Sequence, residues 1–236
     1  MQAVRQWLRD ASSIAVLTGA GVSAESGVPT FRGENGLWKQ YRAEDLATPG
    51  AFERDPKLVW EWYDWRRSLI AHANPNPGHY ALAQAEARAR KFTLITQNVD
   101  GLHELAGSQN VLRLHGSIWR LRCVDCKRER EDRRVPLPEL PPRCDCGGML
   151  RPGVVWFGEL LPADVWRAAE AAARSADLFL VIGTAAMVYP AGGLVSIAKS
   201  SGSRVVEFNI AKSAITGLID EFVQGRSGEL LPQLIA

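Results

Sequence analysis

Short apolar runs recur along the chain, and between them lie longer stretches whose apolar positions repeat with a helical period. An apolar run with few charges is typical of a strand that is buried on both faces of a parallel sheet. Such runs lie at 13–18, 92–96, 111–114, 178–182 and 204–208. Helices are predicted at 1–10, 79–91 and 163–176. The alternation of strands and helices predicts an α/β fold in which helices cover both faces of a parallel sheet.

Two segments interrupt this alternation. Residues 34–76 are rich in tryptophan and charged residues, and their pattern predicts helices. Residues 117–153 contain all four cysteines, many arginines and a proline-rich stretch, which favours a small module held together by a metal ion. We therefore predict that both segments form a smaller domain. The sheet domain is predicted to comprise 1–33, 77–116 and 154–236.

A glycine-rich loop follows the first predicted strand. Gly19, Ala20 and Gly21 have little or no side chain, so the chain can turn sharply there and a ligand can approach the backbone. Freed N–H groups in such a turn can bind a pyrophosphate. The loop continues to Phe31 and Arg32, which is longer than an ordinary dinucleotide turn, so it could also close over a nucleotide. The alternative is a strand-to-helix turn with no ligand.

Polar residues also follow the second and third strands. The run at 96–103 places Gln97, Asn98 and Asp100 at a strand end, and His115 follows the next strand. Open α/β sheets bind their ligands at the carboxyl ends of the strands. An imidazole suits proton transfer because its pKa lies near neutral pH. Taken singly, Asn98 and Asp100 could instead stabilise turns, and a lone histidine is more often structural than catalytic.

The four cysteines are clustered in the second interrupting segment. Their thiolates would give Zn²⁺ a closed, tetrahedral structural site. The candidate ligands are Cys123, Cys126, Cys144 and Cys146. A single residue, Asp145, separates the second pair, whereas zinc knuckles usually have two. Buried free thiols and a DNA-binding finger are the alternatives, although no flanking recognition helix is evident.

With these motifs in hand, the chain closely resembles the sirtuins, the NAD-dependent protein-lysine deacylases, in their bacterial form. The resemblance extends over about residues 8–232 and depends on the loop at 19–33, the run at 96–103 and the pair His115-Gly116. It implies a Rossmann-like sheet domain and a smaller domain made of a helical insertion and a zinc module. It also implies NAD as co-substrate, one structural Zn²⁺ per chain, and acyl-lysine proteins or peptides as substrates.

The resemblance implies a mechanism in which the acyl-lysine carbonyl oxygen attacks C1′ of the nicotinamide ribose and nicotinamide leaves. His115 then acts as general base on the ribose hydroxyls, and water finally releases lysine and 2′-O-acyl-ADP-ribose. Asn98 would orient the ribose and water, Asp100 would bind the nicotinamide carboxamide, and Gln97 would contact the ribose. Phe31 would shield C1′.

Further cofactor contacts follow from the same resemblance. Arg32 would lie near the phosphates, Asn209 would bind the adenosine ribose, and Ser227 would meet the adenine. Ala185 replaces the serine usual in the family, which would weaken a phosphate contact. The remaining implied contacts are Gly19, Ala20, Gly21, Glu25, Thr30, Trp38, Gly183 and Thr184.

Two segments would recognise the substrate. Residues Val155, Trp156, Phe157, Gly158 and Glu159 match the strand that pairs with substrate peptide by backbone hydrogen bonds. Asp55 and Pro56 predict the start of a helix, in which residues 63 and 66 share a face.

Tyr63 and Arg66 could together bind a carboxylate at the far end of an acyl chain. Tyr-x-x-Arg is the pattern of the sirtuin subgroup that removes succinyl and malonyl groups, and the small Ala24 would leave the pocket open. The alternative is an Arg66 that is solvated, or paired with Glu61 or Glu53.

Composition narrows the function classes further. The chain has 236 residues, of which 46% are hydrophobic, and a net charge of +2, too balanced for nucleic-acid binding. No apolar run is long enough to span a membrane, and the N-terminus lacks the apolar block of a signal peptide. We therefore expect a soluble cytoplasmic protein without nucleic-acid or membrane partners, of unknown oligomeric state.

We expect a deacylase acting on succinyl, malonyl and acetyl groups. A mono-ADP-ribosyltransferase, a non-catalytic NAD sensor or scaffold, and an oxidoreductase are the alternatives. Hydride transfer suits the extended loop and the run at 96–103 less well than attack at C1′ does, and the presence of His115, Asn98 and Asp100 argues against a mere sensor.

Overall fold

A parallel six-stranded sheet lies at the centre of the computed structural model, which describes residues 1–30 and 41–235. Its strands are β1 (Ile14–Thr18), β2 (Phe92–Thr96), β3 (Val111–Arg113), β7 (Leu178–Ile182), β8 (Arg204–Asn209) and β9 (Glu221–Gln224). They are ordered β3-β2-β1-β7-β8-β9. The shorter strands β4 (Gly116–Cys123), β5 (Glu129–Glu131) and β6 (Leu150–Val154) form a separate antiparallel sheet, ordered β5-β4-β6.

Helices cover the parallel sheet. The described helices are α1 (Gln2–Asp10), α2 (Ala43–Leu46), α3 (Pro49–Arg54), α4 (Pro56–Ala71), α5 (Pro77–Arg88), α6 (Leu102–Leu105), α7 (Ala163–Ser175), α8 (Gly193–Ser200) and α9 (Ser227–Ile235). Within the described ranges, none of them is both long and apolar enough to cross a membrane.

Alternate residues of the central strands enter two different cores. Val16 packs with Leu94 and Leu180 on the face covered by α1, α5 and α9, whereas Leu17 packs with Phe179 on the face covered by α7 and α8. Every residue of β1, β2 and β7 is buried. This double burial explains why these strands are apolar along their whole length.

The five strands predicted for this sheet are confirmed to within a residue at each end, as are the helices at 2–10 and 163–175. The predicted helix at 79–91 begins two residues earlier and ends three residues earlier, because Asn76 caps it and Pro77 occupies its first position. Strand β9 is missing from the prediction. It lies at the sheet edge and has only one buried residue, Val223, so its sequence carries no apolar run.

The second sheet packs against α4. This helix begins as predicted, because the Asp55 side chain accepts a hydrogen bond from the Leu58 N–H at 2.9 Å and Pro56 follows. On its buried face, the indole N–H of Trp60 donates to Leu150 O at 2.8 Å. The fully buried Arg67 donates to the backbone carbonyls of three residues of the cysteine-rich segment, which are Ile118 (2.7 Å), Asp132 (2.6 Å) and Arg134 (3.0 Å). These contacts anchor α4 to the antiparallel sheet.

The prediction of a strand at 155–159 is wrong for this structure. Strand β6 ends at Val154, and the segment Val155, Trp156, Phe157, Gly158 and Glu159 continues as a turn. The Glu159 N–H donates to Trp156 O at 3.0 Å, and Gly158 has a φ of 88°. A residue in the left-handed region interrupts the extended conformation that a strand requires.

Candidate active site

The carboxyl ends of β1, β2 and β7 meet at one edge of the parallel sheet. There the Gly19 N–H donates to Ile182 O at 3.1 Å, and the Gln97 N–H donates to Thr18 O at 3.0 Å. The strands lie side by side in matched register, so the loops that follow them must converge. The predicted residues that follow β1, β2 and β7 are therefore brought together, as expected for an open α/β sheet.

Two of these loops touch through their backbones. The Gly21 N–H donates to Gly183 O at 2.8 Å. A Cβ atom on Gly21 would lie 2.7 Å from Gly183 Cα, and one on Gly183 would lie 2.5 Å from Val22 N. Gly183 also has a φ of 59°. Both positions therefore require glycine, and the loop after β1 is fixed against the end of β7.

A buried polar network lies beneath this edge. The Ser23 hydroxyl donates to Asp100 Oδ2 at 2.8 Å, and the Asn98 amide donates both to Ser23 Oγ and to Gly19 O at 3.1 Å. The other carboxylate oxygen of Asp100 accepts from the Leu102 N–H at 2.9 Å, which is the turn contact considered above. Burial raises the pKa of the Asp100 carboxyl, although both hydrogen bonds oppose that effect. Asp100 thus stabilises a turn and belongs to the network.

Two histidines extend the network. The rings of His79 and His103 lie 4.8 Å apart between centroids. His79 Nδ1 accepts from the Asn76 N–H at 3.3 Å, which leaves the proton on Nε2, 3.4 Å from Ser23 Oγ. His103 Nε2 lies 3.0 Å from the Thr18 hydroxyl. Burial lowers the pKa of His79 to about 4 and that of His103 well below its usual value, so both rings are neutral near pH 7.

Sequence reasoning missed Ser23, His79 and His103 as members of this network. His79 lies in the first turn of α5, and His103 lies in α6. The three residues come from separate segments, so their proximity has no counterpart in local sequence spacing.

His115 lies half-buried between the two sheets. Its Nδ1 is 3.1 Å from Gln97 O, and because a carbonyl can only accept, Nδ1 carries the proton. Nε2 is therefore the acceptor nitrogen of the ring. Burial lowers the pKa of His115, and the hydrogen bond to Gln97 opposes this. The neighbouring backbone is held too, since the Val155 N–H donates to His115 O at 2.9 Å.

The predicted cofactor residues continue along the sheet edge. The Gln97 amide donates to Thr184 Oγ1 at 2.9 Å, and the Asn209 amide donates to Thr184 O at 3.1 Å. Ala185 follows Thr184 and is half-buried, and Ala20 lies in the short helix after Gly19. Gln97, Thr184 and Asn209 thus form a continuous row across three strand ends.

Two further predicted residues meet at the start of α9. The Glu25 carboxylate accepts from the Gly228 N–H at 2.7 Å and lies 3.4 Å from Ser227 Oγ. A carboxylate at this point stabilises the helix N-terminus. Thr30 ends the first described range, and Phe31, Arg32 and Trp38 lie outside the described residues.

Tyr63 and Arg66 are both buried on α4. The Tyr63 hydroxyl accepts a hydrogen bond from the indole N–H of Trp156 at 2.9 Å. Burial raises the pKa of Tyr63 above its usual range and lowers that of Arg66, while attraction between the two side chains opposes both shifts. Since Arg66 is only 9% exposed, the alternative of a solvated side chain is wrong. Arg66 lines a narrow cavity with apolar residues that include Val28 and Ile70.

The turn after β6 presents its side chains in different ways. Trp156 is buried, whereas Phe157 is 40% exposed. The Phe157 N–H donates to Ala47 O at 2.9 Å. Glu159 forms an ion pair with Arg151 at 2.6 Å.

The four predicted zinc ligands form one cluster. Their Sγ atoms all lie within 4.8 Å of one another, and the ligand set is Cys123, Cys126, Cys144 and Cys146. Although only one residue lies between Cys144 and Cys146, both of their thiols lie beside those of Cys123 and Cys126. The Arg128 guanidinium donates to Cys126 Sγ at 3.4 Å and lowers the pKa of that thiol to about 6. Four converging thiols, one of them readily ionised, fit a structural Zn²⁺ site.

Comparison with known proteins agrees with this geometry. The Sir2 family model matches residues 19–190. The chain is 56% identical over 233 residues to NAD-dependent protein deacylase 2 of Pyrobaculum aerophilum, covering 98% of this chain and 93% of that protein.

Solved structures give the same result. A Sir2 homologue in complex with NAD matches with a TM-score of 0.96 and 45% identity, covering 100% of this chain and 92% of the other. A variant of a Sir2 homologue in complex with 2′-O-acetyl-ADP-ribose matches with a TM-score of 0.95 and 46% identity, covering 100% and 95%. With a family model over most of its length, a relative of this identity and the strand-end site described above, this chain belongs to the Sir2 family.

Proposed function

We propose that the strand-end site catalyses NAD-dependent removal of acyl groups from protein lysines, giving nicotinamide, free lysine and 2′-O-acyl-ADP-ribose. The observation that carries the proposal is His115, whose acceptor nitrogen is available beside the row of polar residues at the sheet edge. The relative from Pyrobaculum aerophilum is named as a deacylase, and the matched structures contain NAD or an acylated ADP-ribose.

The residues at the sheet edge fit NAD. The close backbone contact between Gly21 and Gly183 leaves a floor without side chains, where a pyrophosphate could lie close to the backbone. Gln97 and Asn209 offer amides and Thr184 a hydroxyl for the ribose and phosphate groups. When bound, NAD supplies an electrophilic ribose carbon and a nicotinamide leaving group. The residues proposed to hold it are Gly19, Ala20, Gly21, Glu25, Thr30, Phe31, Arg32, Trp38, Gln97, Asn98, Asp100, Gly183, Thr184, Ala185, Asn209 and Ser227.

His115 acts as the general base in this proposal. Its Nδ1–H is directed to Gln97 O, so Nε2 can accept a proton from a ribose hydroxyl. The lowered pKa keeps the ring neutral at pH 7, and only a neutral imidazole can accept the proton. A positioned base of this kind contributes a factor of about 10²–10⁴ to the rate.

Asn98 and Asp100 orient the reacting groups. Both side chains are fixed through Ser23, so their positions do not depend on the ligand. Asp100 is proposed to bind the nicotinamide carboxamide, and Asn98 the ribose and a water molecule. A site that is already ordered before binding avoids reorganisation during the reaction.

The acyl groups proposed for this enzyme are succinyl and malonyl as well as acetyl. The Arg66 guanidinium stays charged even when buried, and a charge-assisted hydrogen bond to a distal carboxylate contributes about 1.5–3 kcal/mol. The apolar residues that line the cavity beside it suit the methylene groups of an acyl chain. The turn at 155–159, which exposes Phe157, is proposed to contact the substrate peptide.

Nicotinamide release measured on acetyl-, succinyl- and malonyl-lysine peptides tests the proposal. We expect NAD-dependent release with one deacylated peptide formed per nicotinamide, and the highest kcat/KM on an acidic acyl group. A gain of ADP-ribose mass on a test protein without deacylation would instead show a mono-ADP-ribosyltransferase.

A further inference from the structure

The indole of Trp156 restricts which hydrogen bonds the Tyr63 hydroxyl can form. The two side chains are 3% and 4% exposed, and the indole N–H donates to the hydroxyl oxygen at 2.9 Å. An indole nitrogen can only donate, so the phenol cannot return its own proton to Trp156. The hydroxyl proton must therefore point to another acceptor.

Tyr63 remains protonated over the whole working pH range. Burial raises the pKa of the Tyr63 phenol even further above neutral pH, so no phenolate forms there. The hydroxyl thus keeps a proton to donate, while one of its lone pairs is occupied by Trp156. Such a group presents a donor, and a carboxylate is the acceptor that it would bind most strongly.

Two side chains pack against the indole. The guanidinium of Arg151 lies 3.5 Å from the ring centroid of Trp156, and the ring of Phe52 lies 5.2 Å away on a tilted plane. Arg151 is itself fixed by Glu159, whose carboxylate also accepts from the backbone N–H of Trp156 at 2.8 Å. The direction of the indole N–H is therefore set by contacts that involve neither Tyr63 nor a ligand.

The same backbone segment leads to the general base. Val155 precedes Trp156, and its N–H donates to the carbonyl of His115. One short segment thus contacts His115 at one residue and Tyr63 at the next. In the proposed function the acyl group of the substrate lies beside His115, and this segment links that position to Tyr63.

We propose that Trp156 is a positioning residue for acyl selectivity, which orients the Tyr63 hydroxyl so that its proton is donated to the distal carboxylate of a succinyl or malonyl group. The proposal rests on the function proposed above. Glu159 and Arg151 then serve to hold the indole.

Kinetics on paired peptides test this role. The variants are Trp156→Phe, Tyr63→Phe, their double variant and Arg66→Met, each assayed for kcat and KM on succinyl- and acetyl-lysine peptides of one sequence. We expect Trp156→Phe to lower the succinyl-to-acetyl ratio of kcat/KM roughly three- to tenfold, mainly through KM, because one neutral hydrogen bond is lost. The double variant should lower the ratio no further than Tyr63→Phe alone, since the indole acts only through the phenol.

Different outcomes of these assays test the role of Trp156 and the acyl preference proposed above. The role of Trp156 is wrong if Trp156→Phe leaves the succinyl-to-acetyl ratio unchanged, or if the losses of the two single variants multiply in the double variant. The function proposed above stands in that case as long as Arg66→Met still lowers the ratio. If Arg66→Met and Tyr63→Phe leave the ratio unchanged, the acyl preference itself is wrong. Should Trp156→Phe not fold, Arg151→Met keeps the indole but removes the cation that holds it. Arg151→Met should lower the succinyl-to-acetyl ratio about twofold. Equal losses on both peptides would contradict the role of Trp156.

Discussion

A hydrogen bond to a backbone carbonyl determines the tautomer of His115. Because Nδ1–H is directed to Gln97 O, Nε2 is the basic nitrogen. We expect His115→Ala to lower kcat/KM by about 10²–10⁴ while the variant melts within a few degrees of the wild type. Steady-state deacylation and thermal unfolding measure both. The exposed His72, changed to Ala, is the matched control.

Activity of His115→Ala within threefold of the wild type would remove His115 from the catalytic role. A drop in activity that parallels a drop in melting temperature would point to a structural role instead.

Arg66 tests the acyl preference directly. Arg66→Met removes the charge that is proposed to bind the distal carboxylate, so kcat/KM on a succinyl-lysine peptide should fall about ten- to hundredfold. Deacetylation should fall little, or rise, because an acetyl group has no such carboxylate and the pocket becomes more apolar. Tyr63→Phe should weaken the preference less, since it removes a neutral donor.

Side-by-side kinetics on acetyl and succinyl peptides give the result. Equal losses on both peptides would mean that Arg66 supports the fold and does not bind the acyl group.

Local spacing predicted that Tyr63 and Arg66 share a helix face, but could not predict their environment. The sequence left open a solvated Arg66, and only the packing of α4 shows that it is buried. The contact of Tyr63 with Trp156 joins residues 93 positions apart, and no local pattern encodes such a pair. The same limit explains why Ser23 was missed.

The Arg67 side chain ties helix α4 to the cysteine-rich segment. Arg67 satisfies three backbone carbonyls, and its guanidinium lies 5.1 Å from the Trp119 ring. We expect Arg67→Leu to lower the free energy of unfolding by about 2–4 kcal/mol, because buried carbonyls lose their donors. Denaturant unfolding measures this, with the exposed Arg54→Leu on α3 as the control. Equal effects of the two substitutions would contradict the anchoring role.

The cysteine cluster gives a prediction that does not depend on activity. Cys126 is exposed, so Cys126→Ser should cost little stability unless the thiol binds a metal. We expect about one zinc per chain by elemental analysis, a marked loss of thermal stability in Cys126→Ser, and a similar loss on chelation that added Zn²⁺ reverses. Active protein that contains no zinc would refute the site.

Apolar runs predicted the central strands well because these strands are buried on both faces and must be apolar throughout. The same criterion failed for β9, which is half-exposed at the edge. The strand at 155–159 was implied by the family resemblance and not by an apolar run, and there Gly158, in the left-handed region, forms a turn. An apolar run alone was thus enough to predict a strand only where the strand is buried on both faces.

The stability of the folded protein should depend on pH through its buried histidines. His79 has a pKa of about 4 in the fold and about 6.5 in an unfolded chain. Between these values the unfolded state binds more protons than the folded state, so the free energy of unfolding decreases as pH falls from 6.5 to 4. Above pH 6.5 the ring is neutral in both states and this loss is absent. One such group contributes up to about 1.4 kcal/mol per pH unit in this window.

Denaturant unfolding at several pH values from 7 to 4.5 measures the effect. His79→Asn should reduce the slope. The difference between wild type and variant isolates His79 from the carboxyl groups that titrate in the same range. A slope that is identical in wild type and His79→Asn would contradict the assignment.

The contact between Gly21 and Gly183 restricts how this family member can change. A clash between two side chains can be relieved by making one of them smaller. Here both are already the smallest residue, and each Cβ would strike the backbone of the other loop. Making one residue smaller therefore cannot rescue a substitution at the other. A side chain at either position fits only if the backbone of the two loops moves apart.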